Sequence, residues 1–150
     1  MRLAATVARE RVWADPVSLW SDAASKAPDV FIAQYGLADA YRTSRDCGRA
    51  IETYERAKQI RPVASAPYIG IAACRAEQGQ GELAREQLEL ALVRAPSDVN
   101  ARVALAILEA RMFGNAARAA ELCRSAVTLA PQDQAAVNCA QRIAQVPSPH

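Results

Sequence analysis

Apolar positions along the chain recur at i, i+3, i+4 and i+7 in stretches of about 14 residues, the period of a helix that turns one face to a core. The stretches come in pairs. Within the pairs they break at Ser44-Arg45-Asp46, at Gln78-Gly79-Gln80-Gly81 and at Phe113-Gly114-Asn115. Glycine there supplies the left-handed conformation that ends a helix, and the polar neighbours cap the next one. Each pair closes on a proline, which stops propagation: Pro28, Pro62, Pro96 and Pro131, spaced by 34, 34 and 35 residues. Five residues ahead of each stands Ala23, Ala57, Ala91 or Ala126, and eight ahead Trp20, Tyr54, Leu88 or Cys123. Twelve ahead stand Pro16, Ala50, Ala84 and Ala119, and the first halves share Leu37-Ala38, Ile71-Ala72 and Leu105-Ala106. A fixed period of this length predicts stacked helical hairpins, the small residues letting paired helices cross closely.

Composition agrees. Among 150 residues there are 34 alanines against 6 glycines and 5% aromatics, which favours close-packed helices and excludes an all-β fold. With 51% hydrophobic and 23% charged residues, the chain has the balance of a soluble globular domain. The 18 basic and 16 acidic residues are scattered, leaving +2 and no basic stripe for nucleic acid. No apolar run approaches the roughly 18 residues of a membrane span, so no direct membrane insertion is expected. Charges at Arg2, Arg9, Glu10 and Arg11 interrupt the N-terminus too early for a signal-peptide core.

The repeat resembles the tetratricopeptide repeat (TPR), a helix-turn-helix of 34 residues. Residues 31–62 match through Leu37-Ala38, Tyr41, Asp46, Ala50, Tyr54, Ala57 and Pro62. Residues 65–96 match through Tyr68, Ile71-Ala72, Gly79, Ala84, Leu88, Ala91 and Pro96. Residues 99–131 match through Leu105-Ala106, Gly114, Ala119, Ala126 and Pro131, with one extra residue near the turn. The resemblance implies an all-α, right-handed α-solenoid as one domain over 1–150. Residues 1–28 give an N-terminal helix and a degenerate half-repeat, with 16–28 as its second helix. Residues 134–146 give a closing helix that covers the last apolar face, and 147–150 a tail. Asp15 is placed to cap a helix begun by Pro16. The string Trp13, Asp15, Leu19, Trp20, Asp22 also resembles the start of the TPR tail in polytopic envelope glycosyltransferase-like and O-mannosyltransferase-like proteins. That resemblance implies an extracytoplasmic accessory domain, the alternatives being a cytoplasmic protein and tryptophans that plug the open end of a solenoid.

In TPR proteins the inner surface, lined mainly by the first helix of each unit, binds peptides. The matching columns hold Ile32, Tyr35, Gly36, Asp39 and Arg42, then Ala66, Ile69, Gly70, Ala73 and Glu77, then Asn100, Val103, Ala104, Ile107 and Arg111. The Lys, Asn and Arg clamp that grips a C-terminal carboxylate is missing, since its columns hold Tyr35, Asp39, Ala73, Val103 and Ile107. The strip suits an amphipathic helix or an extended apolar segment docked around Tyr35, Ile69 and Val103. Glutamate at those three is expected to abolish capture without unfolding the chain. The competing reading is that the strip covers a neighbouring helix or a second copy of the chain, a homo-oligomer.

Cys123 and Cys139 lie eight residues on either side of Pro131, so an antiparallel hairpin brings them level. They read either as a disulfide or as two small core residues; a bridge would favour an oxidising compartment. There is no Cys-x-x-Cys pair, and the one histidine, His150, is in the tail, so no metal or other cofactor is expected. A nucleophile needs a base within reach, and none is in view; the carboxylates read as solvent-facing, with Glu52 and Arg56 at a stabilising i, i+4 spacing. The expectation is a non-catalytic protein–protein interaction module. Its rivals are an accessory tail of a membrane-embedded glycosyltransferase-like protein and a self-associating module.

Overall fold

The computed structural model describes residues 15–145. The expected helix ahead of residue 15, Trp13 and the tail Pro147-Ser148-Pro149-His150 lie outside the described residues. The chain divides into two compact units, Met1–Pro62 and Val63–His150, just after a repeat-ending proline. The first holds α1 (Pro16–Lys26), α2 (Phe31–Thr43) and α3 (Cys47–Ile60). The second holds α4 (Ala66–Glu77), α5 (Gly81–Arg94), α6 (Val99–Met112), α7 (Ala116–Leu129) and α8 (Gln134–Ala144). There is no strand among the described residues.

Side-chain caps start most of these helices. The Asp15 carboxylate accepts from the amides of Val17 (3.3 Å) and Ser18 (3.2 Å), with Pro16 in the first turn of α1 where its missing N–H costs nothing. Asp46 accepts from Arg49 N at 3.1 Å, Asn115 from Arg118 N at 3.1 Å, and Asp133 from Ala136 N at 2.9 Å. Asp98 does two jobs. It accepts from Ala101 N at 2.8 Å to start α6, and from Ser65 Oγ at 2.6 Å, which fastens the start of α4 to the start of α6.

The turn inside each hairpin uses one left-handed residue: Arg45 (φ 65°), Gly79 (φ 75°) and Gly114 (φ 62°). The next amide then reaches back over the helix end: Asp46 N to Tyr41 O (2.9 Å), Gln80 N to Arg75 O (2.8 Å), and Asn115 N to Glu109 O (2.9 Å). The first two closures span five residues and the third spans six. That wider closure absorbs the extra residue behind the 35-residue spacing, at the end of α6.

Alanine columns line the helix crossings. Ala38, Ala50 and Ala57 are fully buried in the first unit; Ala84, Ala91, Ala106, Ala119 and Ala126 are fully buried in the second. Close approach is tightest at Gly36, where an added Cβ would stand 2.5 Å from the Trp20 ring. Trp20 thereby seats α1 on α2, beside Ala24, Ala33 and Leu37.

Candidate interaction grooves

In the first unit most of the expected binding residues are engaged with their neighbours. Tyr35 stacks on Phe31 (centroids 5.9 Å apart) and tilts against Tyr54 at the same separation. Buried Tyr54 donates from its hydroxyl to Asp39 Oδ1 at 3.1 Å, and Arg42 Nη2 donates to the same oxygen at 3.0 Å. Arg42 Nε completes the triangle by donating to the Tyr54 hydroxyl at 3.3 Å. Burial pushes the Tyr54 phenol well above the ordinary tyrosine range; the Asp39 charge adds to this and Arg42 opposes it. The Tyr35 phenol is raised by burial first and by Asp39 second. Asp39 and Arg42 thus brace Tyr54, while Ile32 stands 65% exposed.

The second unit contains two adjoining grooves. One, of about 290 Å³, runs between α4 and α6 over Leu88 and is walled by Ile69, Ala72, Ala73, Ala76, Ala104, Ile107 and Leu108. The other, of about 450 Å³, runs between α6 and α8 and is lined by Val103, Ile107 and Ala110 against Ala135, Asn138, Cys139, Arg142 and Ile143. Ile107 and Arg111 belong to both, so they form the ridge between the grooves. Of the other residues expected here, Ala66, Gly70 and Asn100 line neither groove; Gly70 is buried and Asn100 exposed.

Two cations overlook the larger groove. Arg111 and Arg142 each lie in the last turn of their helix. The chain reverses at both intervening turns, so α6 and α8 run the same way and bring these guanidinium groups to one end. No carboxylate among the described residues pairs with either. Each helix C-terminus contributes roughly half a negative charge. Two full positive charges exceed that, and the groove end is left cationic.

Val103 requires a correction. It is 8% exposed because α8 folds over it, packing it with Ala136, Cys139 and Ile143. Glutamate at Val103 would set a charge against buried Ala136 and Cys139, so that member of the triple substitution is expected to cost stability as well as capture.

The tetratricopeptide repeat family profile matches residues 13–65 and 75–134. This chain belongs to the TPR family. Solved structures agree on the fold. A thermophilic TPR protein from Thermus thermophilus superposes with a TM-score of 0.73 at 19% identity, over 85% of this chain and 69% of that one. MamA gives 0.69 at 14% identity, over 90% and 80% of the two chains. The first TPR of Spaghetti (RPAP3), a structure with the bound HSP90 peptide SRMEEVD, gives 0.65 at 16% identity, over 77% and 90%. Among curated proteins, none matches the sequence.

The TPR framework also covers the N-terminal string, since the profile begins at residue 13. Within that string Asp15 caps α1, Trp20 packs on Gly36, and Asp22 pairs with Lys26 at 2.8 Å, so each has a local structural role. Sequence reasoning missed two features of this TPR domain. The first is the second wall of the larger groove, although Ala135, Asn138, Cys139, Arg142 and Ile143 stand at i, i+3, i+4, i+7 and i+8 on the closing helix. The second is Glu109, which is fully buried and not solvent-facing as expected of the carboxylates. Arg85 Nε donates to it at 2.8 Å and Arg118 Nη1 at 2.9 Å, while Arg85 also lies 3.5 Å from the centroid of the Phe113 ring. This network braces α5, α6 and α7. Finally, the structure joins Cys123 to Cys139, with Cα atoms 5.5 Å apart, linking the middle of α7 to the middle of α8.

Proposed function

We propose that this TPR domain is a non-catalytic protein-interaction module whose ligand lies along the paired grooves of the second unit. The ligand is a helical or extended segment that places apolar side chains on either side of Ile107 and a carboxylate beneath Arg111 and Arg142. One observation carries this reading: two apolar grooves share a ridge, and the unpaired cations stand at one end of the larger. Apolar grooves supply affinity by desolvation, whereas an unpaired rim charge selects the sign of its partner. The peptide bound to the RPAP3 domain, SRMEEVD, carries acidic side chains, which supports a cationic groove end as a usable feature of this fold. Tyr35, in the first unit, is no part of this reading, because its polar neighbours Asp39 and Arg42 are already committed to Tyr54.

The test uses a fluorescein-labelled peptide of alternating Leu and Glu pairs, read by anisotropy, beside its Leu and Lys counterpart. The Glu probe should bind and the Lys probe should not. Arg111→Glu combined with Arg142→Glu should weaken the Glu probe at least tenfold while leaving the circular dichroism spectrum unchanged. Equal binding of the two probes, or indifference to the charge reversal, overturns the reading.

The Cys123–Cys139 bond further supports placement in an extracytoplasmic, oxidising compartment, where such bonds persist. Protein isolated under thiol-trapping conditions should then carry no label on Cys123 or Cys139. Label on both would place the chain in a reducing compartment.

A further inference from the structure

We infer that the Cys123–Cys139 bond is a redox latch on the groove between α6 and α8, a regulation that rests on the binding role proposed for that groove. Oxidised, the bond fixes α8 as the second wall. Reduced, it lets α8 leave α7, and the groove loses half of its lining.

The helix is weakly held without it. α8 has 11 residues, short of the roughly 12–15 at which an isolated helix becomes even marginal in water. The apolar side chains it turns to its neighbours are mostly small: Ala136, Cys139 and Ala140, with Ile143 the largest. It is the last helix described, so no further helix among the described residues packs on its other side. The covalent bond joins the midpoints of the two helices, where it opposes sliding and tilting alike.

One of the two bridged residues also lines the groove. Cys123 is fully buried, whereas Cys139 keeps 6% exposure and lines the larger groove. A thiolate of a dithiol reductant attacks Cys139 Sγ, and Cys123 departs as thiolate. The reductant's second thiol then displaces Cys139 and closes its own disulfide. Two electrons pass to the protein, two protons end on Cys123 and Cys139, and the reductant is oxidised. A segment lying in the groove covers Cys139, the residue attacked. Ligand and bond therefore protect each other, as linkage between binding and a conformational equilibrium requires.

The experiment compares the full chain before and after reduction with dithiothreitol, using hydrogen exchange and the Leu and Glu probe. Reduction should speed amide exchange across Gln134–Ala144 at least tenfold, leave α5 unchanged, and weaken probe binding at least tenfold. The Cys123→Ala/Cys139→Ala variant should bind as weakly as the reduced chain and ignore the reductant, which excludes effects through Cys47 and Cys74. Saturating probe should slow reduction of the bond in the native chain. Exchange in α8 that ignores reduction overturns the latch, as does α8 loosening with probe affinity intact. Failure of the oxidised protein to take the probe overturns the groove reading and the latch together. Probe binding that ignores the bond overturns the latch alone.

Discussion

At the scale of single residues, Glu109 is the most consequential side chain that a pattern of apolar positions does not reveal. Its column holds Tyr41 and Arg75 in the other repeats, so nothing in the period marks it as core. Its partners stand 24 residues behind and 9 ahead, beyond any local helical spacing. Neutralising the carboxylate leaves two arginines facing a buried amide that offers one acceptor oxygen and no charge. Because Arg85 and Arg118 retain partial exposure (22% and 39%), Glu109→Gln should cost about 2–3 kcal/mol, less than the 3–5 of a fully buried pair. Urea unfolding checks this. Tyr54 makes a prediction in pH. Its phenol is raised above the ordinary value of 10 by burial, so the unfolded chain gives up that proton first. Stability is therefore complete below about pH 10 and falls as pH rises through the folded-state value. Tyr54→Phe should flatten the alkaline limb of a thermal-stability profile, with the tyrosinate absorbance as a second reading. The caps at Asp15, Asp46, Asp98 and Asp133, by contrast, are local devices, and local devices are legible in a sequence.

At the scale of elements, the three hairpin turns provide an internal comparison. All three require a left-handed residue, but only Gly79 and Gly114 accept that conformation without a Cβ penalty. Arg45 pays it, so Arg45→Gly should raise stability by about 1 kcal/mol. Nothing lies within 4 Å of an added Cβ at Gly79, so Gly79→Ala isolates the backbone effect and should lower stability by about 1 kcal/mol. Thermal denaturation of the two variants beside the parent checks both signs. The breaks at 78–81 and 113–115 were legible because glycine and polar residues act over a few residues, whereas 44–46 has no glycine and is marked by its polar run and the cap Asp46. The closing helix was legible too, expected over 134–146 and found at Gln134–Ala144. Its role as a groove wall was not. That role depends on how far α8 overlaps α6, and no spacing within either helix encodes the distance between them.

At the scale of the whole molecule, a period of 34 residues specifies the repeat because its recurring small and apolar columns pack the two helices of each hairpin together. The family and the fold class follow from that alone. The ligand does not, since it depends on variable positions such as Ile107, Arg111 and Arg142, which the repeat leaves free. Val103 both lines the larger groove and packs under the closing helix, because an apolar inner-face position satisfies a closing helix as well as it would a partner. The cysteine order along the chain has a further consequence, for biogenesis. Cys47 and Cys74 precede Cys123 and Cys139, so an oxidant acting as the chain emerges meets the two earlier cysteines first. Cys74 is fully buried once its repeat has folded, which removes it from competition. Maturation should therefore succeed when folding precedes oxidation. Denatured, reduced chain given time to refold before oxidant is added should yield mainly the Cys123–Cys139 species by peptide mapping. Oxidant added in denaturant should yield scrambled pairings instead, which a disulfide isomerase would have to correct.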